Sequence, residues 1–70
     1  MVDTNRLKGL IKGKGMTQAE CAQRIGMSVQ SLNAKINGKT EFNSEQIIAL
    51  RNALDIKGHI EEIFFIHKVD

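Results

Sequence analysis

Seventy residues suffice for one small domain and are too few to build the substantial pocket an enzyme needs. Proline is absent, and the single cysteine excludes an internal disulfide or a cysteine-based zinc site. The net charge of +2 hides a split: residues 1–40 hold seven basic and two acidic side chains, residues 41–70 three basic and six acidic. The first half therefore suits a polyanion and the second does not.

The apolar spacing is helical along the whole chain. Asp3 or Thr4 caps a first helix with Leu7, Leu10 and Ile11 on one face, ended by Gly13 and Gly15. "TQAE", Thr17 to Glu20, has the form of a capping box and opens a second helix running to about Ile25. That helix buries Ala19 or Cys21, together with Ala22 and Ile25, and Gly26 turns the chain sharply after it. Cys21 thus reads as a small core residue rather than a reactive thiol.

Next comes "GMSVQSLNAKING", residues 26–38. Ser28 caps a third helix, Leu32 and Ile36 face inward, and Asn37-Gly38 stops it. Ser31 reads as structural, bonding its own backbone. "KTEF" is a loop from which Phe42 folds back onto the core. Asn43 and Gln46 form a second capping box. It opens a fourth helix with Ile47, Leu50 and Leu54 on one stripe, which Ile48 and Ala53 widen. "DIKG" breaks this helix. The last segment, "HIEEIFFIHKV", repeats apolar residues at Ile60, Ile63 and Phe64, a helical spacing. From Phe65 onward it also reads as an extended tail.

Two short helices joined by a glycine turn make a helix-turn-helix pattern over residues 17–37. Small residues such as Ala22 let the second and third helices approach closely, and Leu32 fills the angle between them. The third helix then protrudes and can enter a DNA major groove, its N-terminal residues at the base edges. A lone amphipathic helix would be a weak signal. The run Thr17-Gln18, Ala22, Gly26, Leu32, Asn37-Gly38-Lys39 at these spacings is a much stronger one.

"TQAECAQRIGMSVQSLNAKINGKT" resembles the helix-turn-helix of the lambdoid phage repressors and Cro proteins, the wider Xre family. With "KINGKTEF" and "EEIFF", the chain resembles small Cro-like regulators of phages and prophages of Gram-positive bacteria. The specific part of the resemblance covers roughly residues 4–56. It implies one all-α DNA-binding domain over residues 1–70, a compact lambda-repressor-like bundle of about five short helices. It also implies a transcriptional regulator that works as a homodimer on a palindromic operator in double-stranded DNA.

Roles follow from the resemblance position by position. Gln18 matches a glutamine that bonds a DNA phosphate and braces the base-reading side chains. Val29 and Gln30 match the first exposed positions of the recognition helix, with Ser28 at its cap, and Ala34 matches a third reading position. Asn37, Gly38 and Lys39 match a loop that touches the DNA backbone. Val29 and Ala34 depart from the longer polar residues of relatives. They offer only apolar contact, so readout rests on Gln30, with Asn33 and Lys35 filling in.

The segment 57–70 is the candidate for dimerisation. Ile60, Ile63, Phe64, Phe65 and Ile66 present more apolar surface than one short helix can bury against a small core. His59 and His67 have no third or fourth ligand at workable spacing and read as surface residues, so no metal or other cofactor is expected. "GKGMT" lacks the length and strand context of a phosphate loop, and no nucleophile has an evident base. Neither catalysis nor a small-molecule ligand is expected. No segment spans a membrane, and the charged N-terminus is not a secretory leader, so a cytoplasmic protein is expected. The competing reading is a protein-interaction module such as an antirepressor that binds a partner regulator. Such a module has no need of five surplus positive charges around its third helix.

Overall fold

A computed structural model describes residues 2–57 and 61–64. They form helices α1 (Thr4–Gly13), α2 (Gln18–Arg24), α3 (Val29–Ile36) and α4 (Ser44–Ala53), then a single turn, α5 (Glu61–Phe64), with no strand among the described residues. The expected all-α bundle is present, with Glu61–Phe64 the described residues of its fifth helix.

Each start has a side-chain cause. Asp3, not Thr4, caps α1, its carboxylate accepting from the Arg6 N–H at 3.1 Å. The box at α2 is complete: the Thr17 hydroxyl accepts from Glu20 N–H at 3.1 Å, and Glu20 accepts from Thr17 N–H at 3.0 Å. Ser28 Oγ accepts from Ser31 N–H at 3.1 Å. Asn43 and Gln46 close the second box at 2.8 and 3.0 Å.

The four longer helices also share one ending. Gly15, Gly26, Gly38 and Asp55 take φ values of +72°, +73°, +78° and +51°. The next N–H then reaches back five residues: Met16 to Ile11, Met27 to Ala22, Lys39 to Ala34 and Ile56 to Arg51. Nothing lies within 4 Å of the place a Cβ would take at Gly26. The left-handed backbone, not lack of room, is what favours glycine there.

The core draws on every helix. Leu7, Ile11, Cys21, Ala22, Leu32, Ile36, Leu50, Leu54, Ile63 and Phe64 are all buried. At the second helix Cys21 is the buried residue and Ala19 is exposed. Ile25 lies one residue past α2 and is half-buried. Burial raises the Cys21 thiol pKa and keeps it neutral. Ile48 departs from expectation: it is 53 % exposed and does not widen the buried stripe. That stripe is as wide as the elements covering it, and none of the described elements covers Ile48. Phe42 folds back as expected, half-buried and edge-on to Phe64, with ring centroids 5.4 Å apart.

Ile63 and Phe64 were expected at a dimer contact. They are instead committed to this chain's own core, 3 % and 5 % exposed. The backbone beside them is tied down too, since Asp3 N–H donates to the Ile63 carbonyl at 2.6 Å. Ile60, Phe65, Ile66, His59 and His67 lie outside the described residues.

The α2 box should be measurable. Thr17→Ala should cost about 0.5–2 kcal/mol of stability. Hydrogen bonds from the Thr17 backbone and then its side chain hold the Glu20 carboxyl below its ordinary value. A lowered folded-state pKa adds stability above the unfolded value, and that stability is lost as pH falls through the folded value. Glu20→Gln keeps an acceptor but cannot titrate. Urea midpoints of wild type and Glu20→Gln should therefore converge as the medium is acidified from neutrality to below the Glu20 pKa. A gap that widens in acid would contradict this account.

Candidate nucleic-acid interface

Helix α3 lies against α2 and α1, so one side is fixed and the other is free. Leu32 and Ile36 take the fixed side. Val29, Gln30, Asn33, Ala34 and Asn37 fall within an arc of about 140° on the other, at 100° per residue. Val29, Gln30, Asn33 and Asn37 are exposed and Ala34 is half-buried. Val29, Gln30, Asn33 and Ala34, with Lys39 beyond the helix, line an open hollow of about 400 Å³. Its floor is apolar, through Val29 and Ala34, and its rim carries two amides and an ammonium. Ser28 is exposed at the helix start, its Oγ engaged as the cap.

An amide relay crosses from α2 to the end of α3. Asn37 Nδ2 donates to Asn33 Oδ1 at 3.1 Å, and Asn33 Nδ2 donates to Gln18 Oε1 at 3.1 Å. The direction of the relay decides what remains. Gln18 accepts with its oxygen and so turns its NH₂ group toward whatever lies outside. Asn33 is held at both ends of its amide. Gln30 takes no part in the relay and keeps both donor and acceptor.

Lys35 lies elsewhere. It is about 170° from the centre of the exposed arc and half-buried. Its Nζ donates to the Glu41 carbonyl at 2.7 Å. This bond ties α3 to the loop that carries Lys39. That loop is held again from beneath, where Phe42 meets Phe64. Thr4 is a further brace that sequence reasoning missed. Its hydroxyl donates to the Ile36 carbonyl at 2.6 Å, across 32 residues. Because Asp3 does the capping, Thr4 is free to bind one of the unpaired carbonyls at the end of α3.

A helix-turn-helix family profile matches residues 7–59, which holds all of α1 to α4 but the first three residues of α1. The chain belongs to the Cro/C1-type helix-turn-helix family. As a Cro/C1-type protein it is a DNA-binding transcription regulator, and the family is not one of enzymes. Neither curated proteins nor solved structures give a significant match. In Cro/C1-type terms α2 and α3 are the two helices of the motif, and α3 is its recognition helix. No described helix is long and apolar enough to cross a membrane.

Proposed function

We propose that this Cro/C1-type protein is a Cro-like repressor of a phage or prophage, acting as a homodimer on a palindromic operator. The observation that carries the reading is the outward face of α3. There, two amides surround an apolar floor with a lysine at its edge. Gln30 reads a base edge, and Val29 and Ala34 accept thymine methyl groups. Asn33, held by Gln18, sets the shape of the site and lies within reach of a neighbouring base. The Gln18 amide nitrogen, the exposed end of α3 at Ser28, and Asn37 with Lys39 contact phosphates. The phage or prophage assignment rests on the resemblance carried by "KINGKTEF" and "EEIFF". The antirepressor reading has less support, because the basic surplus of residues 1–40 falls in the half that contains α3.

The test is a binding titration against intergenic DNA from the protein's own locus, with random competitor, repeated at several salt concentrations. Lys39→Ala should weaken binding to operator and random DNA by the same factor and reduce the slope of log K against log salt by roughly one. An unchanged slope removes Lys39 from the interface. Equal affinity of the wild type for operator and competitor would overturn the repressor reading itself.

A further inference from the structure

The loop that carries Lys39 runs through residues 37–41, all of them exposed. With no side chain in the core, such a loop is placed by its ends. Those ends are Ile36, buried at the close of α3, and Phe42, half-buried before α4. Both lead to the same place. On one side the Ile36 carbonyl accepts from the Thr4 hydroxyl at 2.6 Å. Thr4 directly follows Asp3, whose N–H donates to the Ile63 carbonyl at 2.6 Å. On the other side the Phe42 ring meets the Phe64 ring edge-on, with 5.4 Å between centroids. Ile63 and Phe64 are adjacent in α5, and both are buried.

Neither contact is needed to end α3. The turn at Gly38 does that, with Gly38 N–H reaching the Lys35 carbonyl and Lys39 N–H the Ala34 carbonyl. The Lys35 bond to the Glu41 carbonyl closes the loop on its own helix. It moves with α3 and does not fix the loop against the rest of the domain. What Thr4 and Phe42 add is a common base for both ends. A loop fixed at both ends loses less freedom on gripping a phosphate, so the contact costs less to form. Lys39 has a flexible four-carbon stem, which is aimed only as well as the backbone beneath it.

We infer that the Ile63–Phe64 turn is the base on which the DNA-contacting loop is mounted, and that Thr4 and Phe42 are positioning residues joining the two. The inference rests on the reading of Lys39 as a phosphate contact and extends it to how that contact is aimed. It also ties DNA affinity to the C-terminal segment. Whatever seats or unseats the turn changes the grip on the phosphates, and bound DNA favours the seated turn by the same factor.

Double-mutant cycles on the full-length chain test it, read by competition titration with intergenic DNA of the protein's own locus and with random duplex. Thr4→Val removes the hydroxyl and keeps the shape, whereas Thr4→Ser keeps the hydroxyl. Phe42→Leu removes the ring and keeps an apolar side chain. Thr4→Val and Phe42→Leu should each weaken binding to both DNAs about three- to tenfold, but less than about twofold in a Lys39→Ala background. Thr4→Ser should bind like wild type. Circular dichroism at the titration temperature checks that each variant is folded. A purely structural role would lower affinity by the same factor in both backgrounds, and that result overturns the inference, as does wild-type binding by Thr4→Val. A Thr4→Ser protein as weak as Thr4→Val removes the hydroxyl from the account and overturns it too. Coupling of only one of the two variants to Lys39 overturns the common base. Wild-type binding by Lys39→Ala itself would overturn the phosphate reading and this inference together. Should Phe42→Leu not fold, Thr4→Val with Thr4→Ser as its rescue decides the matter alone.

Discussion

Leu32→Ala should leave most of the chain unfolded at room temperature. Leu32 is fully buried in the middle of α3, the helix packed against both α2 and α1. Truncating a leucine in such a site removes its transfer free energy and leaves a cavity, together costing about 2–5 kcal/mol. Collapse around the gap is restrained here, because α3 is held at its start by the Ser28 cap and at its end by Thr4. A single core in a domain of this size supplies about 3–5 kcal/mol in total. The loss therefore approaches the whole stability of the monomer. Urea titration followed by circular dichroism decides the matter, with Val29→Ala as the control. Val29 is 38 % exposed one turn away, so its truncation should move the midpoint by no more than about 0.5 kcal/mol. A Leu32→Ala protein that unfolds cooperatively within about 1 kcal/mol of wild type would show that the core does not turn on this residue.

The helix ends were legible because their causes are local. A cap acts over three residues, so Thr17 with Glu20, Ser28 with Ser31 and Asn43 with Gln46 announce themselves in the sequence. Gly26 did so too, since its backbone conformation is a property of one residue. Contacts that depend on packing were not legible. No periodicity says that Lys35 should seek the Glu41 carbonyl, because a carbonyl belongs to every residue and marks none. The Thr4 bond to Ile36 spans nearly half the chain and has no signature at either end. Ile48 was misassigned for a related reason. Hydropathy says that an isoleucine prefers burial, but whether anything lies over it depends on how α4 is turned against the bundle. The α3 face lies between these cases. Its outward residues follow from helical spacing, and Gln18 as a brace follows from the family resemblance. That Gln18 holds Asn33 and leaves Gln30 free needed the three-dimensional arrangement.

That freedom of Gln30 supports the second large effect. Gln30→Ala should cost about 1–3 kcal/mol on the operator and little on random DNA. Beside the hollow, half-buried Gln18 and exposed Asn33 spend hydrogen-bonding groups on one another. Gln30 alone keeps a full donor and acceptor pair, the combination that matches adenine N6 and N7 in the major groove. Val29 and Ala34 beside it bear no polar group, so they cannot replace a lost hydrogen bond. They also leave room for the helix to approach the bases. Gln30 is exposed at the second position of α3, so its removal should leave the thermal midpoint nearly unchanged. Asn33→Ala should behave differently. It breaks the relay at both bonds and releases Gln18 and Asn37 together, so affinity should fall for both operator and random DNA, with the larger loss on operator. The two variants can be compared in one competition titration. If Gln30→Ala lowers specific and random binding by the same factor while Asn33→Ala alone abolishes discrimination, Gln30 is not the base reader. Readout would then pass to the Asn33 edge of the relay, or to the shape of the DNA itself.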